Sequence, residues 1–136
     1  MANRKIRILI CNRYVLFRTG IKALLRKQPL FEIVGEAGTV RCTVKQVQRL
    51  KPDIVLMGEA EADWSIAEVT RCIKTMNPDV KVLVVNLSDD QKLLSACLDA
   101  GASGFLRKDD DASQLQSAIS AACGKNGHGH LKAFVA

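Results

Sequence analysis

The side chains that most readily act as nucleophiles or metal ligands are those of five cysteines and two histidines. The cysteines contain no C-x-x-C pair and are widely spaced, at Cys11, Cys42, Cys72, Cys97 and Cys123. An odd, scattered set is typical of reduced thiols in a cytosolic protein and disfavours a disulfide framework or a zinc site. His128 and His130 could bind a metal by their spacing, but the glycine-rich run G-K-N-G-H-G-H favours a flexible linker. We therefore predict no metal site, no cofactor and a cytoplasmic location.

The charged residues are unevenly distributed along a chain whose formal net charge is +6. Residues 1–31 contain eight bases and no acid, whereas residues 53–70 contain five acids and no base. A basic segment can attract nucleic acid, but aromatic residues make up only 4% of the chain, which leaves few rings to stack on bases. A solvated helix face is therefore the favoured interpretation. No apolar run approaches the roughly 20 residues that span a bilayer, so we expect no membrane insertion.

Hydrophobic patterning predicts one domain at residues 1–123, in which strands and helices alternate, followed by a linker or tail at 124–136. Short apolar runs predict five strands, at 5–11, 31–37, 53–57, 80–85 and 104–107. Apolar stripes with helical spacing predict helices at 14–28, 43–50 and 89–102. A fourth helix is predicted from the stripe Ile66, Val69, Thr70 and Ile73, and it ends before Pro78. A fifth is predicted from the stripe Leu115, Ala118, Ile119 and Ala122.

Strands that alternate with helices through short connections specify an α/β domain with a parallel sheet. Right-handed crossovers leave few arrangements for so short a chain, and we predict a flavodoxin-like three-layer α/β/α sandwich with strand order 2-1-3-4-5. In this fold the functional crevice lies at the carboxyl ends of the strands, beside the point where the strand order reverses. The residues predicted to lie there are Cys11, Asn12, Gly58, Asn86, Arg107 and Lys108.

Four segments at these positions carry a family resemblance. They are I-R-I-L-I-C-N-R-Y-V-L-F-R-T-G-I-K-A-L-L, V-G-E-A-G, K-P-D-I-V-L-M-G and A-G-A-S-G-F-L-R-K-D. Together they resemble the receiver domain of bacterial response regulators, and in particular that of the NarL/LuxR-type transcription factors. The resemblance runs from about Lys5 to Cys123 and implies a CheY-like fold.

The activity that this resemblance implies is transfer of a phosphoryl group from a histidine kinase to an aspartate after the third strand. An acidic pair after the first strand holds Mg²⁺ together with phosphate oxygens. A hydroxyl after the fourth strand grips the phosphoryl group, and a lysine after the fifth strand supplies positive charge to it.

The chain departs from this pattern at most of the positions. Cys11 and Asn12 stand where the acidic pair is expected, and Gly58 stands where the phosphorylated aspartate is expected. Asn86 takes the place of the hydroxyl residue, while Lys108 is retained. We therefore interpret the chain as an atypical, degenerate receiver in which the fold is kept and the phosphorylation chemistry is lost.

Several residues near this crevice have two interpretations. Cys11 is either a redox-sensing thiol or, as we favour, a small buried residue. Lys108 either binds an anion or is paired or solvated, and the acidic loop 59–63 either mimics a phosphoryl charge or is solvated. Trp64 is a docking anchor or a cover for the crevice. Phe105 matches the aromatic switch position of the family, but simple packing is the favoured interpretation.

The favoured function is a non-enzymatic signalling module that acts on transcription without phosphorylation. We expect a homodimer through the small outer residues of the last helix, which are Ala112, Ser113, Gln116, Ser117, Ser120 and Ala121. A histidine kinase or another signalling protein is an expected partner, and DNA would bind only through a separate helix-turn-helix domain outside this chain. The alternative is a small-ligand sensor that uses the vacant crevice. An enzyme is disfavoured because no phosphate-binding glycine loop follows the first strand.

Overall fold

Five parallel strands form one sheet in the order β2-β1-β3-β4-β5, which confirms the predicted topology. The computed structural model describes residues 4–58, 65–87, 91–107 and 110–124, with the backbone alone at 86 and 87. The elements are β1 Ile6–Cys11, α1 Val15–Leu25, β2 Phe31–Ala37, α2 Val40–Leu50, β3 Ile54–Met57, α3 Ile66–Met76, β4 Lys81–Leu87, α4 Gln91–Ala100, β5 Gly104–Arg107 and α5 Ala112–Cys123.

The central strands are apolar throughout because helices cover both faces of the sheet. Successive residues of a strand point to opposite faces, so β1 contributes to two cores. Ile8 and Ile10 pack in the core beneath α1 and α5, whereas Leu9 and Cys11 pack in the core beneath α2, α3 and α4. No helix in the described parts of the chain is long and apolar enough to cross a bilayer.

The helix ends differ from the predicted ones where a single residue sets the boundary. α1 ends at Leu25, three residues before the predicted end. α2 begins at Val40 and not at 43, because the Thr39 hydroxyl accepts a hydrogen bond from the Cys42 N–H and caps the helix. α4 ends before Gly101, whose φ of +110° suits glycine and stops the helix.

Half of the basic side chains in residues 1–31 bind to groups within the domain. The bonds are Arg4–Asp53, Arg7–Lys51 O, Arg18–Glu36 and Lys22–Glu36. The basic segment is thus partly engaged in holding β1, α1 and β2 to the rest of the fold. Arg18 and Lys22 of α1 are mostly buried in ion pairs, so the predicted solvated helix face does not describe them.

Candidate functional site

The carboxyl ends of β1 and β3 bring Asn12 and Gly58 together. Cys11 pairs with Met57 in the sheet, so the residues that follow them lie side by side. The Gly58 N–H donates to the Cys11 carbonyl at 2.7 Å, which continues the pairing one residue beyond β3. The strand-end argument from the sequence therefore places these two residues correctly.

Asn12 is fully buried and is held by three hydrogen bonds. Its backbone N–H donates to the Ala37 carbonyl at 3.0 Å, and its backbone carbonyl accepts from Arg18 Nη1 at 2.6 Å. Its side-chain Oδ1 accepts from the Tyr14 N–H at 2.8 Å, which fixes the entry into α1. Its Nδ2 is buried and has no hydrogen-bond partner within the described parts of the chain.

The Asn12 carboxamide fills the space in which a side chain at position 58 would begin. A Cβ built on Gly58 would overlap Asn12 Nδ2 and would lie 3.1 Å from Asn12 Cγ. Real Cβ atoms do not approach neighbours this closely, so any side chain at position 58 requires Asn12 to move. The backbone φ of Gly58 is not positive; among the described glycines, only Gly101 has a positive φ. Steric contact with Asn12, and not backbone conformation, is therefore what closes position 58.

Cys11 lies apart from this pair, which corrects the prediction that its side chain lines the crevice. It is 1% exposed and packs in the core beneath α2, where its Sγ contacts the Thr43 hydroxyl. Thr43 donates its own proton to the Thr39 carbonyl at 2.8 Å, which leaves its oxygen free to accept from the Cys11 S–H. Burial raises the pKa of the Cys11 thiol to about 11. The favoured interpretation as a small buried residue is confirmed, and a reactive thiolate does not fit this site.

Of the other predicted site residues, Arg107 is half-buried at the end of β5, one is packed in the core, and the rest lie outside the described residues. Phe105 is 1% exposed in the core beneath α2, α3 and α4, as the packing interpretation predicts. Asn86 lies on β4, but its side chain is outside the described residues. Lys108, the acidic loop 59–63, Trp64, His128 and His130 are also outside them, so the predictions about these residues stay predictions.

Arg18 is a site residue that the sequence analysis did not single out. Its Nε pairs with Glu36 at 2.8 Å while its Nη1 holds the Asn12 carbonyl, so it links α1 and β2 to the end of β1. Hydrogen bonds from Lys22 and Arg18 lower the pKa of Glu36 below its usual value. The spacing of Arg18 and Lys22 by one helical turn was the available signal, since such a pair presents two bases on one helix face.

The described part of the crevice does not fit the Mg²⁺ ion that the family resemblance implies. Mg²⁺ is bound through carboxylate oxygens and water. At Asn12 the single side-chain oxygen is occupied by the Tyr14 N–H, and the other terminal atom is an N–H donor. Across the described residues, no group of three or more histidines, cysteines or acids could hold a metal ion.

Comparison with known proteins agrees with the fold and with the class of domain. The family model of the response regulator receiver domain matches residues 8–120. The transcriptional regulatory protein DegU from Brevibacillus brevis is 37% identical over 115 residues, which are 85% of this chain and 49% of DegU. The chain spans about half the length of the curated relatives that it matches.

Solved structures share the fold at lower identity. The signal receiver domain of NarL from Mycobacterium tuberculosis superposes with a TM-score of 0.82 at 23% identity, over 88% of this chain and 97% of that one. A structure of two RcsB dimers bound to two parallel DNAs superposes with a TM-score of 0.78 at 18% identity, over 87% of this chain and 60% of that one.

Proposed function

The chain belongs to the response regulator receiver domain family, a family of signalling modules, and we propose that it works without being phosphorylated. The observation that carries this proposal is the pair Asn12 and Gly58. The position after β3 has no side chain that could accept a phosphoryl group, and an amide occupies the space beside it. An acceptor reaction needs a nucleophilic side chain and a charged partner to offset the phosphoryl oxygens. Gly58 and Asn12, the residues that follow β3 and β1, supply neither.

A module without a phosphorylation switch needs another route to its active assembly, and we propose a homodimer through the face formed by α1 and α5. Gln28, which lies three residues after the end of α1, donates a hydrogen bond of 3.0 Å to Gln116 of α5. α5 carries no charged residue over its whole length. Of its six predicted outer residues, Ser113, Ser117 and Ser120 are exposed, and Ala112, Gln116 and Ala121 are half-buried. Small, uncharged side chains of this kind allow another helix to approach closely.

An exposed apolar side chain beside α5, Leu30, supports the same face. In the described part of the chain, the large hydrophobic residues that are exposed are Tyr14, Val15 and Leu16 at the start of α1 and Leu30 directly before β2. Leu16 is 86% exposed, and Leu30 is 54% exposed next to Ser117 and Ser120 of α5. Clusters of exposed apolar groups mark protein interaction sites. RcsB, which shares the fold, has been solved as dimers on DNA.

We further propose that this dimer regulates transcription through a separate DNA-binding domain, with a histidine kinase or another signalling protein as its partner. The support is the similarity to DegU, a transcriptional regulatory protein of which the chain covers about half. A cytoplasmic location suits the five free cysteines, since thiols stay reduced in that compartment.

Sedimentation velocity at tens of micromolar tests the assembly and its independence from phosphorylation. We expect a dimer whose sedimentation is unchanged by acetyl phosphate and Mg²⁺. Leu30→Asp should weaken the dimer by about tenfold or more, because it places charge in an apolar contact. Gln48→Asp, at an exposed position of α2 on the other face of the sheet, is the matched control and should leave the dimer intact. A strict monomer, or a dimer that forms only with acetyl phosphate, contradicts the proposal.

A further inference from the structure

The end of β1 is joined to three other elements through one residue. The backbone of Asn12 bonds to Ala37 at the end of β2 and to Arg18 of α1, and its Oδ1 holds the Tyr14 N–H just before α1. Its carboxamide packs on Gly58 at the end of β3. Asn12 thus ties the carboxyl ends of β1, β2 and β3 to the start of α1.

We propose that the Asn12 carboxamide is a built-in occupant of the phosphoacceptor position, which locks this edge of the sheet in one arrangement and closes it to other occupants. The inference rests on the proposed function and deepens it, because it says what takes the place of the missing phosphoacceptor. Asn12 Nδ2 lies where a side chain at position 58 would begin, and this atom is buried away from solvent.

The Asn12 carboxamide is held by a hydrogen bond at its Oδ1 and by close packing alone at its buried Nδ2. A buried amide N–H without an acceptor costs stability, so the position is occupied at some energetic expense. Tyr14 fixes which end of the amide faces Gly58, since only Oδ1 can accept its N–H. A side chain or ligand that entered this space would have to displace Asn12 and break that bond. The site is thus closed independently of any signal.

Glycine-to-alanine substitution tests the occupancy through a double-mutant cycle. Gly58→Ala should lower the melting temperature by about 5 °C or more, because an added methyl overpacks a filled site. In an Asn12→Ala background the space is vacant, and the same substitution should change the melting temperature by less than about 2 °C. The stability lost at position 58 would thus be rescued by removing the occupant.

Gly35→Ala provides the matched control. Gly35 is also crowded, since a Cβ there would lie 2.9 Å from Leu50 Cδ1, but Asn12 is not among its neighbours. Its effect on the melting temperature, whatever its size, should be the same with and without Asn12→Ala. Rescue that is confined to position 58 therefore reports the contact with Asn12 and not a general loosening of the fold.

Two results overturn the proposal. One is a Gly58→Ala protein with the same melting temperature as the natural protein. The other is a fall in melting temperature on Gly58→Ala that is equal with and without Asn12→Ala. If Asn12→Ala does not fold, Asn12→Ser takes its place, because the shorter side chain can still accept the Tyr14 N–H, and the same two results decide. If Gly58→Ala does not fold, recovery of folded protein on adding the Asn12 substitution counts as rescue and its absence as failure. No phosphodonor is involved, so this outcome is independent of whether the natural protein can be phosphorylated.

Discussion

Rebuilding the phosphoacceptor site with a third carboxylate compares a buried position at the end of β1, Cys11, with an exposed one that follows it, Arg13. Two triple variants share Asn12→Asp and Gly58→Asp, which together remove the amide and supply the nucleophile. In the first variant the third carboxylate comes from Arg13→Asp, and in the second it comes from Cys11→Asp. The two proteins have the same number of added carboxylates, and they differ in where the third one is placed and in whether the exposed Arg13 cation or the buried Cys11 thiol is lost.

The environments of the two positions predict a large difference in stability. Cys11 is 1% exposed in an apolar core with the Thr43 hydroxyl against it, so a carboxylate there would be buried without a cationic partner. An unpaired buried charge costs about 3 kcal/mol or more, which for a domain of this size lowers the melting temperature by roughly 10 °C. Arg13 is exposed, and its one described contact is its position 5.3 Å above the Tyr14 ring, so its loss costs about 1 kcal/mol or less.

Thermal melting followed by intact-mass spectrometry with acetyl phosphate and Mg²⁺ is the assay. The variant with Arg13→Asp should melt about 10 °C higher than the variant with Cys11→Asp, and it alone should gain a phosphoryl adduct that depends on Mg²⁺. The gap should widen as the pH rises. Burial favours the protonated carboxyl in the folded state, so the folded protein binds more protons and loses stability as the pH increases. Equal stability of the two variants, or an adduct only on the variant with Cys11→Asp, would refute this reasoning.

Two further predictions follow from titratable groups. Glu36→Gln should destabilise the domain by about 1 kcal/mol at neutral pH and low salt, since it removes partly exposed ion pairs. Because Lys22 and Arg18 lower the pKa of Glu36, this contribution to stability should persist below the usual carboxyl pKa of 4.5 and vanish only at more acidic pH. Urea unfolding of the natural protein and the variant across pH would show this. Alkylation of the native protein with iodoacetamide at mildly alkaline pH should leave Cys11 and Cys97 unmodified, because burial raises the pKa of each thiol to about 11. Peptide mass mapping that found either cysteine labelled in the first minutes would contradict their placement.

The topology could be predicted from the sequence because it depends on patterns repeated over many residues. Five apolar runs that alternate with helical stripes leave few arrangements of a parallel sheet. The helix ends were harder because a single interaction sets each of them. The stripe Val44, Val47 and Leu50 predicts a start at 43, but the helix begins at Val40, which is buried on the same face and follows the cap at Thr39.

The candidate site could be predicted only in part, for a related reason. The strand-end argument brought Asn12 and Gly58 together, because parallel strands end at the same edge of a sheet. It did not give the direction of Cys11, since a shift of one residue along a strand moves a side chain to the other face. The contact between the Asn12 carboxamide and Gly58 could not be predicted from the sequence around either residue, because close packing between distant residues follows no periodic pattern.

The central claim, that this receiver domain works without phosphorylation, is tested most directly by intact-mass spectrometry of the natural protein after incubation with acetyl phosphate and Mg²⁺. A receiver domain that accepts phosphate under the same conditions serves as the positive control. We predict no added phosphoryl mass, because Gly58 offers no nucleophile and the neighbouring Asn12 offers no carboxylate. An adduct that is lost at alkaline pH, as an acyl phosphate would be, would contradict the account.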